Sequence, residues 1–233
     1  MKHLATTVSI IIPVYNERLT ILEIIKKVQA IPLAKEIIIV DDGSTDGTRE
    51  LLQLVENDEG IRVLYHQNNM GKGMAIRTAI PYIASDVLII QDADLEYDPN
   101  DYDKLITPIR KGHYDIVYGT REVLPGNTYS HLTFFVGGKF LTWLTNTLYG
   151  STLTDMPTCY KAFRTKTFKS LELSCQRFEF CPEVTAKLLK KGQPILEVPI
   201  NYYPRKIKDG KKIRFKDGLQ AIYTLFRIKF FDS

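Results

Sequence analysis

Val87–Glu96 reads VLIIQDADLE. The four apolar residues Val87, Leu88, Ile89 and Ile90 predict a strand buried on both faces, as in a parallel sheet covered by helices. Three acids follow at alternate positions: Asp92, Asp94 and Glu96. In an open α/β sheet the carboxyl ends of the strands face the ligand crevice. Acids placed there stay hydrated and suit a hard divalent cation. Mg2+ or Mn2+ takes oxygen ligands, commonly one or two carboxylates together with a substrate's phosphates. Taken alone, the stretch reads equally well as a solvated acidic turn.

The rest of the first half repeats the same unit. Val8–Ile12 is a β-branched run that Pro13 ends, and Ile21, Ile24, Ile25 and Val28 lie on one face of a helix. Glu36–Val40 is a second strand, turned by Asp41-Asp42-Gly43-Ser44. Thr45 or Asp46 caps the next helix, whose apolar face is Leu51, Leu52, Leu54 and Val55. Ile61–Tyr65 is a third strand, and Gly71-Lys72-Gly73 opens a helix marked by Ile76, Ala79, Ile80 and Ile83. After the central strand come a helix (Tyr102, Leu105, Ile106, Ile109) and the strand Asp115–Gly119. Such alternation predicts an α/β fold, a doubly wound and mostly parallel sheet.

The second half is less regular. Leu132–Tyr149 is rich in aromatic residues but interrupted by Gly137-Gly138-Lys139. Asp155–Arg164 leads into a strand, Pro182–Lys191 is helical, and Ile195–Ile200 is a further strand. Arg205–Lys216 carries seven cations among twelve residues, and the amphipathic stretch Leu219–Phe231 follows. With no repeat and no linker, residues 1–233 read as one domain.

A hydrophobic share of 44% and a charged share of 25% are those of an ordinary globular protein. The net charge of +4 is too mild to indicate a nucleic-acid partner. Three cysteines, an odd count without C-x-x-C spacing, suit a reducing compartment. With no signal-peptide pattern and no run of 18 apolar residues, the reading is cytoplasmic, soluble or resting on a membrane.

Three strand ends carry polar signals: Pro13-Val14-Tyr15-Asn16-Glu17, Asp41-Asp42-Gly43-Ser44 and Asp92-Ala93-Asp94. Each is weak alone, since Asp-Gly-Ser is a common turn and Tyr-Asn-Glu serves equally as a helix cap. Together on one sheet edge the acids repel, so something cationic is expected between them. A nucleoside diphosphate with its metal meets that need, with Asp42 accepting from a base N–H or ribose hydroxyl and Tyr15 offering an aromatic face. No G-x-G-x-x-G follows the first strand, which argues against a dehydrogenase, and no P-loop motif is present.

These motifs, with Asn69-Met70-Gly71-Lys72-Gly73, resemble the family 2 glycosyltransferases of GT-A fold. The match is nearest to the dolichyl-phosphate mannose synthase-like branch, through Gly119-Thr120-Arg121 and Glu197-Val198-Pro199-Ile200, and within it to a bacterial subgroup. The resemblance runs from Val8 to about Phe226. It implies a nucleotide-sugar donor bound in residues 1–121 and an acceptor half in 122–233. Pro13, Tyr15, Glu17, Val40 and Asp42 would hold the nucleoside, with Lys72 in the donor set. Asp92, Ala93 and Asp94 would meet the ribose and diphosphate, and the Mg2+ or Mn2+ cofactor would rest on Asp94 and Glu96, with Asp92 beside them. Arg121, Arg205, Lys211 and Lys212 would clamp the diphosphate, where charge grows as the sugar departs.

The implied reaction is an inverting, metal-dependent transfer of a hexose from a GDP- or UDP-sugar to a polyprenyl (dolichyl or undecaprenyl) phosphate. Asp94, Asp155 and Arg121 form the catalytic set. Asp155 is a base, an orienter of the acceptor, or a turn cap. The branch has a Ser-Arg pair where this chain has Phe135-Val136, which leaves His131 and Lys139 as nearby cations. Two other readings stand beside this one: transfer to a hydroxyl of a glycan or small acceptor, which needs a carboxylate base, and an inert membrane-surface module. Leu132–Tyr149 and the terminal aromatics suit contact with the inner face of a membrane.

Overall fold

The computed structural model describes residues 8–33, 35–122, 124, 132–205 and 215–232. The strands are β1 (Val8–Val14), β2 (Lys35–Asp41), β3 (Ile61–Tyr65), β4 (Val87–Ile90), β5 (Ile116–Thr120), β6 (Lys161–Arg164) and β7 (Leu196–Pro199). The helices are α1 (Ile21–Ala30), α2 (Thr48–Gln53), α3 (Lys72–Ala79), α4 (Tyr102–Arg110), α5 (Leu132–Tyr149), α6 (Thr165–Lys169), α7 (Phe180–Lys190) and α8 (Phe215–Phe230). The strands form one sheet in the order β3-β2-β1-β4-β6-β5-β7. β1 to β4 pair in parallel, as does β5 with β7, while β6 is antiparallel to both of its neighbours, β4 and β5.

The continuous apolar runs are explained by cover on both faces. Ile10, Ile12, Ile37, Ile39, Val87 and Ile89 pack with α1 and α4 on one side. The alternate residues Ile11, Ile38, Val40, Leu88 and Ile90 pack with α3 and α7 on the other. Because strand side chains alternate, a strand roofed on both faces has no polar position to display.

Three expectations are corrected. β1 runs through Pro13 to Val14. Ile11 accepts from Gln91 N–H, so odd positions of β1 turn their polar groups toward β4, and Pro13 lies past the end of that pairing, where its missing N–H costs nothing. α2 stops at Gln53, so Leu52 alone is fully buried while Leu54 is 74% exposed. α5 passes through Gly137-Gly138 without a break. Packing on α7 and α8 outweighs the roughly 1 kcal/mol that each glycine costs a helix.

Candidate active site

The ends of β1, β2 and β4 lie side by side, with β1 central. The loop after β1 is tied to the loop after β2: Asn16 N–H donates to Ser44 Oγ at 2.9 Å, Thr45 N–H to Asn16 Oδ1 at 2.8 Å, and Glu17 N–H to Thr48 Oγ1 at 2.9 Å. Asn16 and, after β4, Leu95 adopt φ of 49° and 63°, a left-handed conformation that costs a non-glycine residue about 1–3 kcal/mol. At Leu95 it sets Asp94 and Glu96 on either side of a sharp bend.

Each acid foreseen at a strand end has a partner within the chain. Asp41 receives Arg49 Nε at 2.7 Å. Asp42, 2% exposed, accepts from Met70 N–H (2.8 Å) and Gly71 N–H (2.7 Å) and faces His66 Nδ1 at 2.7 Å. It therefore anchors the Asn69–Gly71 turn. Gly71 has φ 97°, and a Cβ there would lie 2.5 Å from Gln176 O, so only glycine fits. Lys72, the first residue of α3, pairs with Asp92 Oδ1. The next N–H groups of α3, from Gly73 and Met74, donate to the carbonyls of Arg177 and Gln176 at 3.1 and 2.8 Å. The mutual repulsion expected of the acids is thus largely offset internally, by the cations Arg49 and Lys72 and by the N–H groups that Asp42 accepts.

Asp94 is the least compensated. Burial, then Asp92 and Glu96, push its carboxyl up to about 7 against the pull of Arg205 and the Glu96 N–H. Glu96 turns away: its Oε2 accepts from Tyr202 Oη (2.9 Å) and its Oε1 from Arg205 N–H (2.8 Å). Arg205 forks onto Glu17 and reaches Asp94 Oδ2 at 3.2 Å. Among the described residues no three His, Cys, Asp or Glu side chains converge as a ready-made metal cage. The donor set still suits a hard cation, because Mg2+ and Mn2+ need only one or two carboxylates when phosphates supply the rest. Asp94, with Asp92 beside it, has the oxygen chemistry, and it is the acid that its surroundings relieve least. Glu96, expected as a metal ligand, has its two carboxylate oxygens engaged by Tyr202 and the Arg205 N–H.

Pro13 and Val40 are register partners in the sheet and buried, as is Ala93, so what they offer is backbone and shape; Tyr15 is half-buried at the rim. Lys211, Lys212 and His131 lie outside the described residues.

Beyond Tyr202 is a second, adjoining site. Arg121 Nε and Nη2 fork onto Asp155 Oδ2 and Oδ1, both at 2.7 Å, and Arg121 N–H adds a third bond at 3.0 Å. Burial alone would raise the Asp155 carboxyl, but Arg121 outweighs it and holds it below the usual carboxylate range. Glu197 accepts from the N–H groups of Thr154 and Asp155 at 2.7 and 2.9 Å, fixing the loop. The Arg121 guanidinium lies 5.0 Å from the centre of the Tyr202 ring. A cleft opens here, lined by Arg121, Phe134, Phe135, Lys139, Thr142 and Tyr202. Lys139 pairs with Glu122 at 2.5 Å.

Sequence reasoning missed Arg49, His66, Tyr202 and the bracing role of Glu197. His66 directly follows β3, so the rule that strand ends carry chemistry would have found it. Tyr202 and Glu197 carry no comparable local signal.

The chain matches the profile of Glycosyl transferase family 2 over residues 9–171. It is 32% identical to glycosyltransferase AglJ of Haloferax volcanii, over 94% of this chain and 71% of that one. It is 30% identical to the low-salt glycan biosynthesis hexosyltransferase Agl6 of the same organism, over 94% of this chain but only 53% of that one. An undecaprenyl-phosphate 4-deoxy-4-formamido-L-arabinose transferase of Salmonella choleraesuis is 26% identical, over 88% of this chain and 62% of its own. Among solved structures, glucosyl-3-phosphoglycerate synthase of Mycobacterium tuberculosis with Mn2+, uridine diphosphate and phosphoglyceric acid superposes with a TM-score of 0.75 at 19% identity, covering 97% of this chain and 79% of that one, a likeness of fold. Fold, profile and relatives agree: this chain is a glycosyltransferase of family 2, built on the GT-A fold.

Proposed function

We propose that the enzyme moves a hexose from a nucleotide diphosphate sugar to a polyprenyl phosphate, inverting the anomeric carbon, with Mg2+ or Mn2+ at Asp94 and Asp92. The observation that carries this reading is the double engagement of Tyr202. Its hydroxyl donates to Glu96, next to Asp94, while its ring lies under Arg121, at the cleft lined by aromatic side chains. A carboxylate-lined donor floor and a cleft that holds the Arg121–Asp155 and Lys139–Glu122 ion pairs therefore meet across one side chain.

The bound cation would neutralise charge on the departing nucleoside diphosphate. Glu17 and Asp94 position Arg205 beside that locus, and Arg121 is oriented by its fork on Asp155. The cleft presents Arg121 and Lys139, each paired with an acid of the same lining, Asp155 and Glu122, to a phosphate and Phe134 and Phe135 to an apolar stem. A phosphate monoester, with a second pKa near 6, is already anionic at neutral pH and needs no base. Asp155 is in keeping with that, since a carboxylate bonded three times to Arg121 and held ionised below its usual range is a poor proton acceptor. The hydroxyl-acceptor reading gains no support from Asp155 on this count.

Among the described residues no helix is long and apolar enough to cross a membrane. α5 exposes Val136, Phe140 and Trp143, and α8, packed against it, exposes Leu219, Tyr223, Phe226 and Phe230 with Lys216 and Lys229. Aromatic side chains with flanking cations suit an anionic bilayer surface, where a lipid acceptor resides.

The test offers radiolabelled UDP- and GDP-sugars with Mn2+, with and without undecaprenyl or dolichyl phosphate. Label passing into an organic extract supports the proposal and names the sugar. Donor turnover with all label left in water overturns the lipid acceptor.

A further inference from the structure

Cys159 and Cys181 bring their Sγ atoms to 3.9 Å although 22 residues separate them in the chain. Cys159, half-buried, lies on the loop that runs from Asp155 to β6, and Cys181 is the second residue of α7. Cys181 Sγ also lies 3.4 Å from Thr158 O. Beside them is Lys161, fully buried, its Nζ donating to Met156 O at 2.9 Å and 3.4 Å from the centre of the Tyr118 ring. Nothing in the proposed transfer uses this dithiol.

The surroundings divide the two thiols. The hydrogen bond from Cys159, then the charges of Lys161 and Lys72, pull the Cys181 thiol below its ordinary value against the effect of burial. The first turn of α7 adds its positive end. That hydrogen bond and burial push the Cys159 thiol up. Cys175, buried beside Glu183, is also pushed up. Cys181 is therefore the more acidic sulfur of the pair, and the third cysteine is an internal control.

We propose that Cys159 and Cys181 are a redox modification site, a dithiol that hydrogen peroxide converts to a disulfide at the edge of the donor site. The Cys181 thiolate attacks one peroxide oxygen, the O–O bond breaks, and the departing hydroxide takes a proton to leave as water. The sulfur of Cys159 then gives up its proton and displaces the sulfenic hydroxyl of Cys181 as a second water. The dithiol loses two electrons and two protons, and one peroxide becomes two waters.

An S–S bond is about 2 Å long, so closing the 3.9 Å gap takes rotation of both side chains and a shift of the walls that carry them. Both walls carry the site. Cys159 N–H is held by Tyr97 Oη at 3.2 Å, and its loop begins at the partner of Arg121. The start of α7 is tied through Glu179 to the N–H groups of Gln176 and Arg177, whose carbonyls hold α3 beside Lys72. Oxidation therefore weakens donor binding, a consequence that rests on the donor reading above.

To test it, the reduced full chain is treated with peroxide, unfolded in urea with N-ethylmaleimide, digested without reductant and mapped by mass spectrometry. The expected product is a Cys159–Cys181 cross-linked peptide pair with Cys175 alkylated, reversed by dithiothreitol. Cys159→Ser and Cys181→Ala should each abolish the cross-link, and Cys175→Ala should keep it. Cys159 and Cys181 both recovered alkylated, or oxidised singly without a cross-link, overturns the site. Titration with UDP and Mn2+ should show affinity at least tenfold weaker after oxidation, and equal affinities overturn the coupling. Absence of nucleotide binding by the reduced chain counts against the donor reading alone, and the cross-link map still decides the redox site.

Discussion

Arg205 grips Glu17 with both arms of its guanidinium, Nη1 to Oε2 at 2.8 Å and Nη2 to Oε1 at 2.9 Å, across 188 residues of chain. The second arm also reaches Asp94 at 3.2 Å. A cation supplied by the chain therefore stands next to the acid most in need of one. Replacing it should separate two effects. In Arg205→Gln, Mn2+ binding without nucleotide should tighten about tenfold, because a neighbouring positive charge is gone. Glycosyl transfer should fall on the order of 100-fold, the usual loss when one group stabilising transition-state charge is removed. Calorimetric Mn2+ titration and initial rates give the two numbers, and unchanged values for both would remove Arg205 from the site.

Asp94 predicts a pH dependence of stability. Its carboxyl titrates near 7 in the fold and near its ordinary 3.8 when unfolded. Between those values the folded chain holds more protons, so stability falls as pH rises through the window and stays at the lower level above it. Asp94→Asn should flatten this part of the profile and stabilise the metal-free chain at pH 8 by on the order of 2 kcal/mol, while abolishing transfer. Urea unfolding from pH 4 to pH 8 in the presence of chelator measures it.

Asp155 runs the other way. Arg121 holds its pKa below the unfolded value, so its contribution is present above the unfolded pKa and lost as pH falls through the folded one. Asp155→Asn leaves Arg121 buried without its countercharge and should cost about 3–5 kcal/mol at pH 7. The difference from the parent chain should shrink toward pH 3. If Asp155 orients Arg121 rather than taking a proton, the remaining rate of the variant keeps the pH profile of the parent.

Trp143 on α5 and Phe230 on α8 are 59% and 62% exposed. The double variant Trp143→Glu, Phe230→Glu should lose at least tenfold in sedimentation with anionic vesicles, since it removes apolar area and adds repulsion. Transfer to a short, water-soluble prenyl phosphate should be affected far less. Equal loss with both acceptors would place these residues in folding rather than in lipid contact.

Periodicity placed most elements of the first 120 residues, α2 and the end of β1 excepted, because burial on one face of a helix or both faces of a strand is written into local spacing. Ile21, Ile24, Ile25 and Val28 are all buried as their spacing requires, and Val87–Ile90 are fully covered. The same spacing also showed which polar groups end each strand. It did not contain the place of β6: a strand is expected at the end of Asp155–Arg164, but nothing in Lys161–Arg164 says that it enters antiparallel between β4 and β5. Nor did it show that the acids at the strand ends would be met by Arg49, His66, Lys72 and Arg205. A local pattern records how deeply a residue is buried, whereas pairing of strands and of charges depends on which distant segments the closed chain brings within a few ångströms. Asp94 as the least compensated acid, Tyr202 between the two halves of the site, and the Cys159–Cys181 contact are all of that second kind.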